Sequence, residues 1–247
     1  MKLHPGLQMI EDDRVEMPMA ELVCIRFARP RRVCSDTCWN GGLHSAALAV
    51  ANHRMRPESV GSTEQFGQYC CDLLERHDLP ASTVLQLTAA NLLGGGAGVE
   101  DGGGFAVTAL VTAGVRHNAV CAGDAAGYDE TAAGVYRDWQ PGTINSTLFI
   151  DADLSLDALL HVFTVMAECK TDAMLRRHLR SHHSHALATG TGTDTTTLVC
   201  NPLSAHRRTT TSTHSRLGMA VARAARTALE EALDADLAAQ AAGVDAS

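Results

Sequence analysis

A single α/β domain is the fold class this sequence predicts, with a layered α+β arrangement as the alternative: a mixed β-sheet covered by long helices. Three observations predict it. Of the 247 residues, 45% are hydrophobic and only 19% charged, enough apolar material for one substantial core. Short runs of β-branched and apolar residues, bounded by Gly, Pro, Ser or Asn, are interspersed with long segments of helical periodicity. Nothing repeats at a fixed period of tens of residues, which sets solenoids and propellers aside.

Taken in order, residues 20–28 (Ala-Glu-Leu-Val-Cys-Ile-Arg-Phe-Ala), 44–52 and 83–88 read as strands, and 105–113 as a fourth. Between them Ser62 or Thr63 is placed to cap a helix to about His77, since Phe66, Cys70, Leu73 and Leu74 recur at helical spacing. In the second half Thr143 to Ile150 alternates as a strand. Asp153 or Ser155 caps a long helix to about Arg180, and Thr195 to Cys200 is a further strand. An alanine-rich helix closes the chain over roughly 215–240. The division that follows is an N-terminal extension over 1–18, a domain over 19–232 and a flexible Ala-rich tail over 233–247, whose end lacks large apolar groups. Two glycine-rich segments interrupt the pattern. Gly94 to Gly104 is low-complexity sequence and reads as a mobile surface loop, or a lid if it serves function. The second, Ala188 to Asp194, is of a different kind, alternating glycine with threonine.

Twenty basic and twenty-eight acidic side chains leave a net charge of −8, so no broad cationic surface exists to neutralise a phosphate backbone, and nucleic acid is a poor partner. The longest apolar stretches, Ala46 to Ala51 and Phe105 to Val115, fall short of the roughly 18 to 20 residues a membrane-spanning helix needs. No apolar export segment follows Lys2, and a cytoplasmic protein is expected. The eight cysteines are scattered, with Cys70 and Cys71 adjacent, and read as reduced thiols; Cys34 and Cys38 have no second pair to complete a zinc site.

Several clusters could carry chemistry. Ala188-Thr189-Gly190-Thr191-Gly192-Thr193-Asp194 alternates hydroxyls with glycines just before a strand, a composition suited to cradling an anion or an amide, though equally at home in a polar turn. In the long helix Leu159, Phe163, Met166, Lys170 and Ala173 share one stripe, so a single ammonium lies on an otherwise apolar face. Lysine is scarce here: only Lys2 and Lys170 stand against eighteen arginines, so an amine was retained at this position in particular. The bland alternative is a snorkelling lysine. Glu168 lies two positions away, about 200° around the helix, and so would flank a site with Lys170 rather than pair with it. His178, His182, His183 and His185 look like a metal cluster but sit among arginines at a helix C-terminus, where polar side chains complement the dipole; no metal site is assigned.

The motifs Asn40-Gly41-Gly42, Thr112-Ala113-Gly114, Ala122-Gly123-Asp124, Gly142-Thr143-Ile144-Asn145, Ala167-Glu168-Cys169-Lys170-Thr171, the loop 188–194, and His214 with Leu217-Gly218 occur in an order that resembles the adenosylcobinamide amidohydrolases of corrinoid salvage. The similarity spans about residues 20 to 230. It departs at Ala167-Glu168-Cys169-Lys170, where Thr-Glu-Ala-Lys is expected, and at 94–104, which looks like an insertion. The resemblance implies hydrolysis of the amide joining the aminopropanol arm to the corrin ring, giving adenosylcobyric acid. The corrinoid is then substrate, carrying its own cobalt, and no further cofactor is expected. Its rivals are a non-catalytic corrinoid-binding protein and an amidohydrolase acting on a smaller amide.

Amide hydrolysis needs an activated water, oxyanion stabilisation and a proton for the leaving amine. On chemical grounds Glu168 is assigned as general base. Lys170 with backbone N–H groups of Thr189 to Thr193 is expected to hold the oxyanion, and Asp194 or His214 to orient the site or pass the proton. A broad, amide-fringed corrin calls for a wide cleft with neutral hydrogen-bonding groups. Asn40, Gly41, Gly42, Thr143, Asn145, Thr189, Gly190, Thr191, Gly192 and Thr193 are the expected substrate-binding residues. A threonine nucleophile is disfavoured, because no threonine stands at the chain start.

Overall fold

Alternation along Ile144–Ile150 shows how the domain is layered. Ile144, Leu148 and Ile150 face a helical layer, whereas Asn145, Thr147 and Phe149 face a second sheet. The structure, a computed structural model, describes residues 14–19, 21–55, 63–126 and 142–243. In chain order its elements are β1 (Arg14–Met19), β2 (Leu22–Ser35), β3 (Gly42–Arg54), α1 (Thr63–Arg76), β4 (Val84–Thr88), β5 (Gly96–Asp101), β6 (Ala106–Ala113), β7 (Ala119–Val120), β8 (Ile144–Ile150), β9 (Asp153–Leu154), α2 (Leu156–Arg176), β10 (Gly190–Thr191), β11 (Thr195–Cys200), β12 (Arg207–Arg208) and α3 (Arg216–Ala241).

The main sheet has the order β4-β3-β2-β11-β8-β6-β5, with β1 beside the first half of β2. It is mixed: β3 with β4 and β8 with β11 are parallel, and the other pairs along the path are antiparallel. Although three strands separate β4 from β8 in this order, Gln86 of β4 donates to the Ser146 carbonyl and accepts from the Thr147 hydroxyl of β8. The sheet therefore folds back on itself. Irregularities in the β2–β3 register between Arg26 and Val33 accommodate the bend, and Pro30 lies within them.

Four layers result. Helix α1 puts Cys70, Leu73 and Leu74 onto the outer face of β2, β3 and β4. Ile25, Phe27, Val33, Ala47, Val50 and Val84 meet Phe149 and Val199 between the two halves of the sheet. The largest core lies under α2 and α3, where Leu159, Val162, Met166, Leu217, Val221 and Leu229 cover β6, β8 and β11. The molecule is thus a single α/β domain with a mixed sheet covered by helices, as the sequence predicts.

Three expectations are corrected. Residues 94–104 are not a mobile loop: they contain edge strand β5, paired along its length with β6 and covered by α3. The glycines there serve close packing, since a Cβ at Gly96 or Gly98 would run into the α3 carbonyl oxygens of Ala228 or Ala224. Strand β2 runs past residue 28 to Ser35. Helix α2 stops at Arg176, short of Arg180, where Arg177 turns its guanidinium onto the Ala173 and Glu230 carbonyls and Asp234. Ser155 is the α2 cap, its hydroxyl accepting the Ala158 N–H. Helix α3 continues to Ala241, with Leu233 fully buried. The alternative α1 cap Ser62, residues 1–13 of the N-terminal extension and residues 244–247 lie outside the described residues. Among the described residues no helix is long and apolar enough to cross a membrane.

Candidate active site

Where β8 and β11 begin, the loop 188–194 and α2 converge on one carboxylate. Asp194 Oδ2 lies 2.6 Å from Lys170 Nζ and accepts the Thr191 N–H at 2.9 Å, while Oδ1 accepts the Ile144 N–H at 2.9 Å and the Thr191 hydroxyl. Side-chain exposures of 24% for Lys170 and 10% for Asp194 put the pair at the edge of the core rather than on the open surface. Four donors on one carboxylate bind the loop, the helix and the first residue of β8 together. Gly190 permits this, because a Cβ there would collide with the Asp194 carboxylate and crowd the end of Lys170.

Two further groups face the cluster. Asp36, just beyond β2, accepts the Thr196 N–H at 2.6 Å. The residue is exposed on one side, yet desolvation of its carboxyl raises its pKa above the ordinary range. The Thr196 N–H and the Lys170 ammonium oppose that rise, and Asp194 adds to it. Asn118 reaches from the loop before β7: its Nδ2 donates to the Gly142 carbonyl at 2.7 Å, and its backbone carbonyl accepts the Gly192 N–H at 3.2 Å. Thr193 Oγ1 donates to the same Gly142 carbonyl at 2.9 Å, and Thr143 Oγ1 donates to the Thr193 carbonyl at 2.6 Å.

Of the residues expected from sequence, the structure thus gathers Lys170, Asp194, Thr143, Gly190, Thr191, Gly192 and Thr193. Thr189 joins them through its backbone, its carbonyl accepting the Thr171 hydroxyl at 3.3 Å. The N–H cradle is corrected: Thr189 N–H goes to the Val120 carbonyl, Thr191 N–H to Asp194 and Gly192 N–H to Asn118, so these three donors are already used inside the protein.

Asn145 is buried and fully engaged between the sheets. It donates to Asn52 Oδ1 and the Leu87 carbonyl and accepts from the Thr195 hydroxyl, with the Thr143 hydroxyl 3.2 Å from its Oδ1, a structural role instead of the expected substrate contact. Asn40, Gly41 and Gly42 form the turn between β2 and β3. Asn40, with φ of 51°, donates to the Ala81 and Thr83 carbonyls, and Gly41 presses on the Thr37 carbonyl. They hold the β4 approach in place.

Glu168 is exposed on another face of α2, and among the described residues it forms no hydrogen bond or ion pair with Lys170 or Asp194; its assignment as base is withdrawn. His214 is exposed in the turn before α3, at the opposite pole of the sandwich. That turn is tied to the first turn of α2 by Thr211 Oγ1 on the Ala158 carbonyl. Twelve helical residues separate Ala158 from Lys170, about 18 Å at 1.5 Å per residue, so His214 cannot pass a proton there. The four clustered histidines fall in the loop after α2, with His178 in a left-handed conformation at φ 52°. Among the described residues no group of three or more His, Cys, Asp or Glu is placed to hold a metal ion.

Sequence reasoning missed Asp36, Asn118, Asn52 and Gln86. No local pattern marks them, since each acts on a residue at least 24 positions away. A cavity of about 150 Å³ lies between the sheets behind Asn52, lined by Ile25, Val50, Leu110, Thr112 and Glu231 among others. It reaches neither Lys170 nor Asp194, and it is too small for a corrin.

The profile of a family described as adenosylcobinamide amidohydrolase matches residues 7–241. An uncharacterized protein of Methanocaldococcus jannaschii, MJ1613, is 29% identical over 195 residues, which make up 74% of this chain and 76% of that protein. Among solved structures, the PH0078 protein from Pyrococcus horikoshii OT3 is 14% identical with a TM-score of 0.41, over 96% of this chain and 80% of that one. An L-aminopeptidase D-Ala-esterase/amidase from Ochrobactrum anthropi is 14% identical with a TM-score of 0.37, over 90% of this chain and 82% of that one.

Proposed function

The chain belongs to the adenosylcobinamide amidohydrolase family and is an amidohydrolase; from that premise we propose that it hydrolyses the amide between the aminopropanol arm and the corrin ring of adenosylcobinamide. Water enters, aminopropanol leaves, and adenosylcobyric acid remains, so that an incomplete corrinoid can be returned to use. The observation that carries the reading is the convergence on Asp194, which holds the ammonium of Lys170 at 2.6 Å and the first N–H of β8 at 2.9 Å. An amide-cleaving site needs such fixed charge beside a rigid strand end, because electrostatic stabilisation works only when the donors do not have to reorganise.

In this reading Asp194 is a positioning residue, saturated with donors and serving to aim Lys170. Lys170 supplies positive charge toward the scissile amide. Asp36 is suited to proton transfer to the leaving amine, since its desolvated carboxyl holds a proton at higher pH than an ordinary aspartate. Gly192 and Thr193 are exposed at the tip of the loop and offer hydrogen-bonding surface to the fringe of the ring.

The test is incubation of the purified protein with adenosylcobinamide, followed by mass spectrometry of the products. Release of 1-amino-2-propanol together with adenosylcobyric acid is the expected result. Tight binding with the ligand unchanged would identify a corrinoid-binding protein instead, and turnover of small amides alone would identify a different substrate class.

A further inference from the structure

Two side-chain donors, from different parts of the chain, point at one main-chain carbonyl: Asn118 Nδ2 at 2.7 Å and Thr193 Oγ1 at 2.9 Å from the oxygen of Gly142. That is the geometry of an oxyanion hole, but it is occupied by the protein's own peptide group. Gly142 has φ of +147°, and a Cβ on it would lie 2.6 Å from the Gly114 carbonyl oxygen and 3.0 Å from Asn118 Cβ, so the polarised carbonyl is confined to a slot that admits only glycine. The next residue is Thr143. Its hydroxyl can close a five-membered ring onto the Gly142 carbonyl carbon; the residue is 3% exposed, and the hydroxyl donates to the Thr193 carbonyl at 2.6 Å. The Thr143 carbonyl accepts the Gly114 N–H at 2.9 Å and the Ile144 N–H is held by Asp194, so the start of β8 is fixed on both sides of this bond.

We infer that Thr143 is the nucleophile of this amidohydrolase, and that its own hydroxyl first cleaves the Gly142–Thr143 peptide bond to free it. Thr143 Oγ1 attacks the Gly142 carbonyl carbon, forming a C–O bond, and the displaced electron pair rests on the oxygen held by Asn118 and Thr193. The C–N bond then breaks and the hydroxyl proton goes to the Thr143 nitrogen, leaving an ester. Water hydrolyses that ester to a Gly142 carboxylate and a Thr143 that begins a new chain. The free α-amine beside the hydroxyl supplies the base that an internal threonine lacks.

Departure of the Gly142 carbonyl vacates the same two donors for the oxygen of a substrate amide. Attack by Thr143 Oγ1 on that amide, its proton passing to the α-amine, expels the amine, which takes its proton from Asp36; a second water then releases the acid from the acyl-threonine, giving a proton back to Asp36 while the α-amine returns its own to Oγ1. This second half rests on the amidohydrolase reading; the cleavage of the chain does not.

Intact-mass spectrometry of the purified full-length chain under denaturing conditions tests the inference. Two fragments, residues 1–142 and 143–247, are expected, the second with Thr-Ile-Asn at its N-terminus. Thr143→Ala remains one chain and hydrolyses no amide. Asn118→Ala, missing one of two donors, slows the scission by about 10²- to 10³-fold; an unchanged rate would remove Asn118 from the step. An intact wild-type chain overturns the inference whether or not it is active, as does scission that persists in Thr143→Ala, and neither result depends on how well a variant folds. A chain divided at this bond that leaves adenosylcobinamide untouched keeps the scission and rejects the corrinoid reading.

Discussion

Replacing Asp194 by asparagine isolates what its carboxylate does. Each oxygen faces one backbone N–H, from Ile144 on Oδ1 and from Thr191 on Oδ2. Whichever way an asparagine amide is turned, its NH₂ group confronts one of these donors, and that N–H loses its partner. A buried donor left unpaired costs about 1 to 3 kcal/mol. The Lys170 ion pair is also lost; with 24% and 10% of the side chains exposed, its worth falls between a surface pair and a buried one, about 1 to 2 kcal/mol. Together Asp194→Asn destabilises the fold by about 2 to 5 kcal/mol. Urea unfolding followed by circular dichroism measures this directly, the midpoint moving down by at least about 0.7 M for an m value of up to about 3 kcal/mol/M. Lys170→Met removes only the ion pair and leaves three donors on Asp194, so it costs about 1 to 2 kcal/mol. Combining the two separates the terms: in the Lys170→Met background Asp194→Asn must still cost at least about 1 kcal/mol. No cost in that background would mean that the backbone contacts of Asp194 contribute nothing, and the positioning role assigned to it would fall.

Other expectations follow from the packing and the exposed groups. Gly98→Ala drives a methyl into the Ala224 carbonyl of α3; overpacking costs about 1 to 3 kcal/mol, and Tm falls by several degrees. An unchanged Tm would mean that α3 does not lie directly on β5. His53 is buried between the Glu21 carbonyl and the Tyr69 hydroxyl, and burial lowers its pKa below the ordinary 6.5. Because the folded value lies below the unfolded one, its contribution to stability is present above about pH 6.5 and is lost as pH falls through the folded value. Urea midpoints should therefore decline on acidification below 6.5, and His53→Gln should flatten that decline; equal slopes for the two proteins would contradict it. Glu168→Gln should hydrolyse adenosylcobinamide within about two-fold of the wild-type rate, as a surface substitution does. A loss of several orders of magnitude would return the glutamate to the chemistry.

Local composition was enough to place β3, β4, β6, β8, β11, α1, α2 and α3, because the short apolar and β-branched runs of the strands and the helical spacing of the helices are written along the element itself. Lys170 was legible for the same reason: an ammonium on an apolar stripe is anomalous locally, and the ordered motifs pointed to the family. What failed was whatever depends on a distant neighbour. Glycine at 96 and 98 reads as flexibility in the sequence, whereas it is the close approach of α3 that demands it. Glu168 sits two residues from Lys170 yet on another helical face, and His214 follows the loop 188–194 closely in sequence yet lies at the far pole of the sandwich. The donors on Gly142 come from residues 118 and 193, and the carboxylate on Ile144 from residue 194. By itself the sequence determined the three helices, most of the longer strands and the family, which are properties of short windows and their order. The tertiary structure alone decided which side chains share a site, because the pairing of strands distant in sequence and the folding of the sheet back on itself bring together strand ends and loops separated by as many as 160 residues along the chain.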